Sequence, residues 1–154
     1  MKPIPQKDLA SILEPIFEQR IEESNLEGWT TSEFTIANVE EAYKHRICAA
    51  YVDDLEDPIS CLVAAISRNP ILPGSFAVAN LIWVKPEVRR TRKALPLIKD
   101  LMESFFAYAK NNLCNVAVVS SWHYLGAEEE GIEDLWEKYE FDLLEKVFVK
   151  HLLA

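Results

Sequence analysis

The sequence predicts an α/β domain, a mixed and mostly antiparallel sheet flanked by helices. Three observations carry this. Three apolar runs, Ile47–Val52, Ile59–Ile66 and Phe76–Val84, follow one another across short polar turns, as in an antiparallel meander. Two longer segments, about 7–24 and 94–110, repeat apolar residues at helical spacing. After the second of these the chain returns to a short apolar run, Val116–Val119. A strand, a crossover helix and a further strand give a parallel pair with right-handed connection.

Taken in order, Leu9, Ile12, Leu13, Ile16, Phe17 and Ile21 define the apolar stripe of the first helical region. Pro15 interrupts it, so the helix either kinks there or gives way to a second one. Residues 25–35 read as loop, and Asn38-Val-Glu-Glu41 resembles a capping box that opens a short helix to about His45. Asp53–Pro58 is an acidic turn closing a hairpin, and Arg68–Ser75 a second loop. Phe76–Val84 is expected to be the most buried strand. Ala94–Lys110 is the strongest helix, with Ile98, Leu101, Met102, Phe105 and Ala109 on one face. Residues 120–131 are a polar loop. Ile132, Leu135, Trp136 and Tyr139 space a last short helix, and Leu143–Leu153 closes the chain as a strand. The expectation is one domain over 1–154, with a helical part over 1–46 and a sheet part over 47–154.

Composition narrows the function classes. The chain has 154 residues, 49% of them hydrophobic and 27% charged, which is ordinary for a globular domain with a sizeable core. Its formal net charge of −9 argues against a general nucleic-acid binder. No apolar run approaches the ~20 residues that span a bilayer, and the first residues lack the apolar core of a signal peptide, so a cytoplasmic location is expected. Cys48, Cys61 and Cys114 are an odd, widely spaced set inside apolar runs, which reads as free buried thiols in a reducing compartment. The histidines show no metal-ligand spacing.

Against this acidic background, one cationic cluster stands out. The strand ending at Ile82-Trp83-Val84 runs through Pro86 into Arg89, Arg90, Thr91, Arg92 and Lys93, and the long helix starts at Ala94. That order aims backbone N–H groups and positive charge at one point, which suits a phosphate or pyrophosphate. The bland alternative is a solvated helix start with ordinary surface charges.

Two segments carry a family resemblance. Val84-Lys-Pro-Glu-Val-Arg-Arg-Thr-Arg-Lys-Ala-Leu95 resembles the strand–Pro–loop–helix segment of the GNAT superfamily of acyl-CoA-dependent N-acetyltransferases, with its Arg/Gln-x-x-Gly-x-Gly/Ala loop. Leu135-Trp-Glu-Lys-Tyr-Glu-Phe141, about forty residues later, resembles that family's Phe-Tyr-x-Lys-x-Gly-Phe segment. The likeness covers roughly Ile47 to the end of the chain. It implies acetyl-CoA as cosubstrate, with the amides of Arg90 to Ala94 holding the pyrophosphate and Ile82, Trp83 and Val84 pairing with the pantetheine arm. It implies acyl transfer to an amine, either a small molecule or a peptide. Arg92 stands at the family's loop glycine, Trp136 at its usual Tyr acid, and Glu140 at the Gly before Phe. The family's first strand is not evident. These departures support a rival reading, a non-catalytic GNAT-like binding or structural protein such as a bacteriophage encodes.

Further candidates come from position. His123 follows a buried strand and suits a general base, although a lone loop histidine is more often merely exposed. Ser121 and Tyr124 are weaker candidates. Glu128 to Glu130 would attract a cationic acceptor, or form ordinary solvated surface. Trp83 and Trp122 would line a cofactor cleft or pack into the core. Trp29 and Phe34 would cover the acceptor side. A short terminal strand such as Val147–Leu153 leaves a sheet edge with which a second copy could pair.

Overall fold

The computed structural model describes residues 1–23, 30–68, 74–119 and 136–141. Five strands form one sheet in the order β1 (Lys2–Pro3), β2 (Cys48–Val52), β3 (Ser60–Arg68), β4 (Ser75–Val84) and β5 (Val116–Val119). The first four pair antiparallel. β5 pairs with β4 in parallel, from Phe76↔Val116 to Ala79↔Val119, as the strand–helix–strand order requires. The predicted helix over 132–139 and terminal strand over 143–153 lie largely outside the described residues; 136–138 are helical.

Helices cover both faces. On one, α1 (Leu9–Glu23) and α2 (Ser32–Lys44) pack Leu9, Leu13, Ile16 and Ile36 on Cys48, Ala50, Val52, Cys61, Val63, Leu81 and Trp83. On the other, α4 (Ala94–Asn111) packs Leu101, Met102, Phe105 and Ala109 on Leu62, Ala64, Ala77, Ala79 and Val84. Each such buried large side chain contributes about 1.5–3 kcal/mol. The predicted stripe of α4 is therefore its packing face, with Ile98 half-buried and Tyr108 added.

Four expectations change. α1 runs unbroken through Pro15, which sits on the exposed side where loss of one backbone bond is met by water. α2 starts at Ser32, seven residues before the capping box read at Asn38-Val-Glu-Glu41 takes effect. The cap is Thr31, extended at φ −127°, whose hydroxyl accepts from the Phe34 N–H at 3.2 Å. The unforeseen first strand exists as Lys2–Pro3 beside Tyr51 and Val52. It is anchored by fully buried Ile4, whose N–H donates to Ala50 O at 2.9 Å and whose carbonyl accepts from Tyr43 Oη at 2.6 Å. Finally, β3 and not β4 is the most buried strand. It lies at the centre of the sheet, and every residue from Ser60 to Ala64 is at most 2% exposed.

β4 holds an irregularity that shapes the site. Val63 pairs with Leu81 but Ala64 with Ala79, so Asn80 is one extra residue, a β-bulge. Before it, Ala77 and Ala79 face α4. After it, Leu81 and Trp83 face α1, although all four are two residues apart in sequence. Among the described residues, pairing with β5 runs from Phe76 to Ala79.

Candidate functional site

Beyond Ala79, β4 continues to Val84 with β3 on one edge, where Leu62, Cys61 and Ser60 pair with Ile82, Trp83 and Val84. No described strand covers its other edge. The chain then turns at Lys85 into a four-residue helix, α3 (Pro86–Arg89), with Pro86 at its first position where a missing N–H costs nothing. Arg90 to Lys93 connect it to α4. The predicted loop is thus partly helical, because Pro86 presets the turn.

Arg89 does not point into open solvent. Its Nε donates to the Val84 carbonyl at 2.6 Å, and its Nη2 meets Glu23 Oε2 at 2.9 Å, with both side chains largely buried. The side chain therefore ties the end of α1 to the end of β4, and it occupies the Val84 carbonyl expected to pair with a pantetheine arm. Arg90, Arg92 and Lys93 are exposed, and among the described residues none of the three is in an ion pair. They are the cations free to meet an anion.

The loop amides are partly committed to the loop itself. Thr91 N–H donates to Val88 O at 2.9 Å and Ala94 N–H to Thr91 O at 3.1 Å. The Lys93 N–H donates to Thr91 Oγ1 at 3.2 Å, and that hydroxyl donates to Val88 O at 2.8 Å. Pro96, third in α4, has no N–H to offer. The cradle expected from Arg90 to Ala94 is consequently poorer in backbone donors than the sequence suggests, and Arg92 at its centre adds a cation instead.

Trp83 is 5% exposed, packs beneath α1 and donates from Nε1 to Gln19 Oε1 at 3.2 Å. Its side chain belongs to the core, and only its backbone lies at the open edge. Trp136 packs on the α4 face, edge-on to Phe141 at 6.2 Å, and Phe141 stacks on Phe106 at 6.0 Å. Its Nε1 is buried and has no hydrogen-bond partner among the described residues. Glu140 has φ 62°, the left-handed conformation that glycine takes most easily, while Phe141 N–H closes the turn on Trp136 O at 3.1 Å.

His123, Ser121, Trp122, Tyr124, Glu128 to Glu130 and Trp29 lie outside the described residues. Phe34 is 63% exposed on the first turn of α2. Beside it an open groove of about 460 Å³ is lined by Glu18, Ile21, Glu22, Thr30, Thr31 and Ser32. Nothing in the sequence singles out the two carboxylates, because they sit on the polar face that any amphipathic helix has. Among the described residues there is no cluster of three metal-ligating side chains and no helix long and apolar enough to cross a membrane.

Comparison with solved structures identifies the architecture. A predicted acetyltransferase from Clostridium acetobutylicum, solved with acetyl-CoA, superposes with a TM-score of 0.76 over 98% of this chain and 94% of its own, at 11% identity. The chain has the GNAT acetyltransferase fold. A ribosomal-protein-alanine N-acetyltransferase from Brucella melitensis biovar Abortus 2308 gives 0.61 over 97% and 96% at 16% identity. AAC(6')-Iy, in complex with the bisubstrate analogue CoA-S-monomethyl-acetylneamine, gives 0.63 over 97% and 92% at 15% identity. The GNAT likeness thus extends over the N-terminal helices as well, beyond the part in which the sequence motifs lie. No protein-family model and no curated protein matches the sequence.

Proposed function

We propose that this GNAT-fold chain transfers an acyl group, acetyl in the simplest case, from acyl-CoA to an amine. The observation that supports it most is the corner at Val84–Ala94, where a strand edge that no described strand covers runs through a proline turn into three exposed cations, none in an ion pair among the described residues, at the start of a long helix. Arg90, Arg92 and Lys93 would hold the phosphates by charge, and the free edge at Ile82 would pair with the amides of the arm. The amine attacks the thioester carbonyl, a C–N bond forms as the C–S bond breaks, the thiolate leaves as CoA, and the amine gives up a proton. His123 is the proposed base for that proton. The protein's main contribution is to align the two reactants. The carboxylates Glu18 and Glu22 along the α1–α2 groove favour an acceptor that carries positive charge.

Calorimetric titration with acetyl-CoA and CoA tests the binding step, with a Kd of about 1 mM or tighter expected. A thiol-release assay across a panel of amines tests the chemistry. Absence of both a heat signal and a melting shift at millimolar cofactor would dispose of the proposal. The second reading, a binding protein without catalysis, is favoured by Trp136, an indole that cannot deliver a proton to the leaving thiolate. Binding without thiol release above background for any amine would select it.

A further inference from the structure

Two side chains on one face of α1 reach across to the end of β4 and to α3. Gln19 Oε1 accepts from Trp83 Nε1 at 3.2 Å, and Glu23 Oε2 accepts from Arg89 Nη2 at 2.9 Å. The two acceptors are four residues apart, about one turn of helix, so they lie along a single face. Arg89 also donates from Nε to the Val84 carbonyl at 2.6 Å. One planar guanidinium thus bridges the last residue of α1 and the last residue of β4. Its fixed fork of donors suits that task, and the single ammonium of a lysine does not. Both partners are mostly buried, with the Arg89 side chain 28% and the Glu23 side chain 23% exposed.

This pairing takes Arg89 out of the set of cations open to an anion. Its charge is met by the Glu23 carboxylate, and its Nε is held by Val84. Arg90 follows it directly, with Arg92 and Lys93 just beyond, all three exposed and none in an ion pair among the described residues. Whatever fixes Arg89 therefore fixes the near end of the segment that carries them. We propose that Glu23 is a positioning residue for anion binding at Arg90, Arg92 and Lys93. It touches no ligand and acts by holding Arg89 against Val84. The inference rests on the acyl-CoA reading above, and it reverses the sign that charge alone gives. By Coulomb's law, removing a carboxylate near a cationic corner tightens anion binding. Removing Glu23 loosens it, because the cations must then be ordered when the ligand arrives.

Calorimetric titration with acetyl-CoA tests this, at a temperature where every variant is folded. Glu23→Ala is expected to weaken binding about tenfold. Glu23→Gln, which keeps an oxygen for Arg89 Nη2 while dropping the charge, is expected to recover most of that loss. Glu87→Ala removes an exposed carboxylate from α3 without touching the clasp, and is expected to bind as tightly as wild type or more so. Wild-type or tighter binding by Glu23→Ala overturns the inference and leaves the acyl-CoA reading standing. An equal loss in Glu87→Ala, or no recovery in Glu23→Gln, does the same. If acetyl-CoA does not bind the wild-type protein at millimolar concentration, both fall. Should Glu23→Ala not fold, ¹⁵N spectra of the wild-type protein decide alone. The Arg89 Nε–H should exchange slowly with solvent and keep its position at saturating acetyl-CoA, while the backbone amides of Arg90, Arg92 and Lys93 shift. An Arg89 Nε–H that moves or exchanges faster on binding shows that the clasp opens to the ligand, and the inference fails.

Discussion

Among the described residues, three helical segments end on a residue in the left-handed conformation, and none of the three is glycine. Arg46 follows α2 at φ 59°, Leu113 follows α4 at φ 56°, and Glu140 ends the turn from Trp136 at φ 62°. In each the next amide reaches back five residues: Ile47 to Ala42, Cys114 to Ala109, Phe141 to Trp136, at 2.9–3.1 Å. This is the helix stop that glycine normally serves, and a Cβ there costs about 1 kcal/mol. The one glycine among the described residues serves elsewhere: Gly74, at φ 92°, meets the Asn115 side chain so closely that an added Cβ would collide with it. Leu113 is 90% exposed and little packing depends on it. Leu113→Gly is therefore expected to stabilise the fold by about 0.5–1 kcal/mol, a rise of roughly 1–4 °C in Tm at this chain length. Gly74→Ala should lower Tm instead. A thermal melt of the two variants checks both, and an unchanged or lower Tm for Leu113→Gly would refute the strain argument. The same geometry explains why the helix ends were hard to place from sequence: no Gly marked them, so the stops had to be inferred from where apolar spacing ceased.

At the scale of elements, the meander, α4 and the parallel return were legible because each shows one period over its whole length. The β2–β3 ladder and, apart from half-buried Ile98, the α4 stripe match those periods. What escaped the sequence were features decided by one residue. The Asn80 bulge inverts the faces of β4, yet Ala77, Ala79, Leu81 and Trp83 read as uninterrupted alternation. The cap at Thr31 competes in the sequence with a stronger-looking capping pattern at Asn38. The Arg89 clasp joins residues 66 apart, a pairing no local pattern contains. Two predictions belong here. Deleting Asn80 forces either the Ala77–Ala79 pair or the Leu81–Trp83 pair onto the wrong face, so soluble, cooperatively folding protein should be lost, whereas Asn80→Ala, at an exposed position, should stay within about 0.5 kcal/mol of wild type. Arg89→Ala removes a charged bond to Val84 O and the partner of a largely buried Glu23. A loss of about 1–2 kcal/mol is expected in urea unfolding, after discounting for the remaining exposure of the pair. Retention of full stability by Arg89→Ala would show that Arg89 is instead free to serve a ligand.

Over the whole molecule, the candidate site is a small cationic corner on a chain of net charge −9, and the buried thiols and phenol of the core carry the shifted protonation of the fold. Burial pushes the Cys48 thiol up to about 11, and moves Cys61 and Tyr108 upward as well, all by desolvation first. In the unfolded chain a thiol ionises near 8.5 and a phenol near 10. Between those values and the raised native ones, the unfolded state releases protons that the folded state keeps, so stability falls as pH rises. The sign is fixed: stability from these groups is complete below about pH 8.5 and for Cys48 declines up to about pH 11. Denaturant midpoints measured from pH 7 to 11 should therefore drop steadily above the thiol value, and Cys48→Ala, though less stable at pH 7 through lost packing, should show a shallower drop. The same burial governs reactivity, since only thiolate attacks. With Cys48 8% exposed, Cys61 fully buried and Cys114 partly open, an alkylating reagent at neutral pH should label Cys114 first in the native protein, and the other two only after unfolding. Three thiols titrating together without denaturant would mean that the sheet does not shield them and that the core assigned to β2 and β3 is wrong.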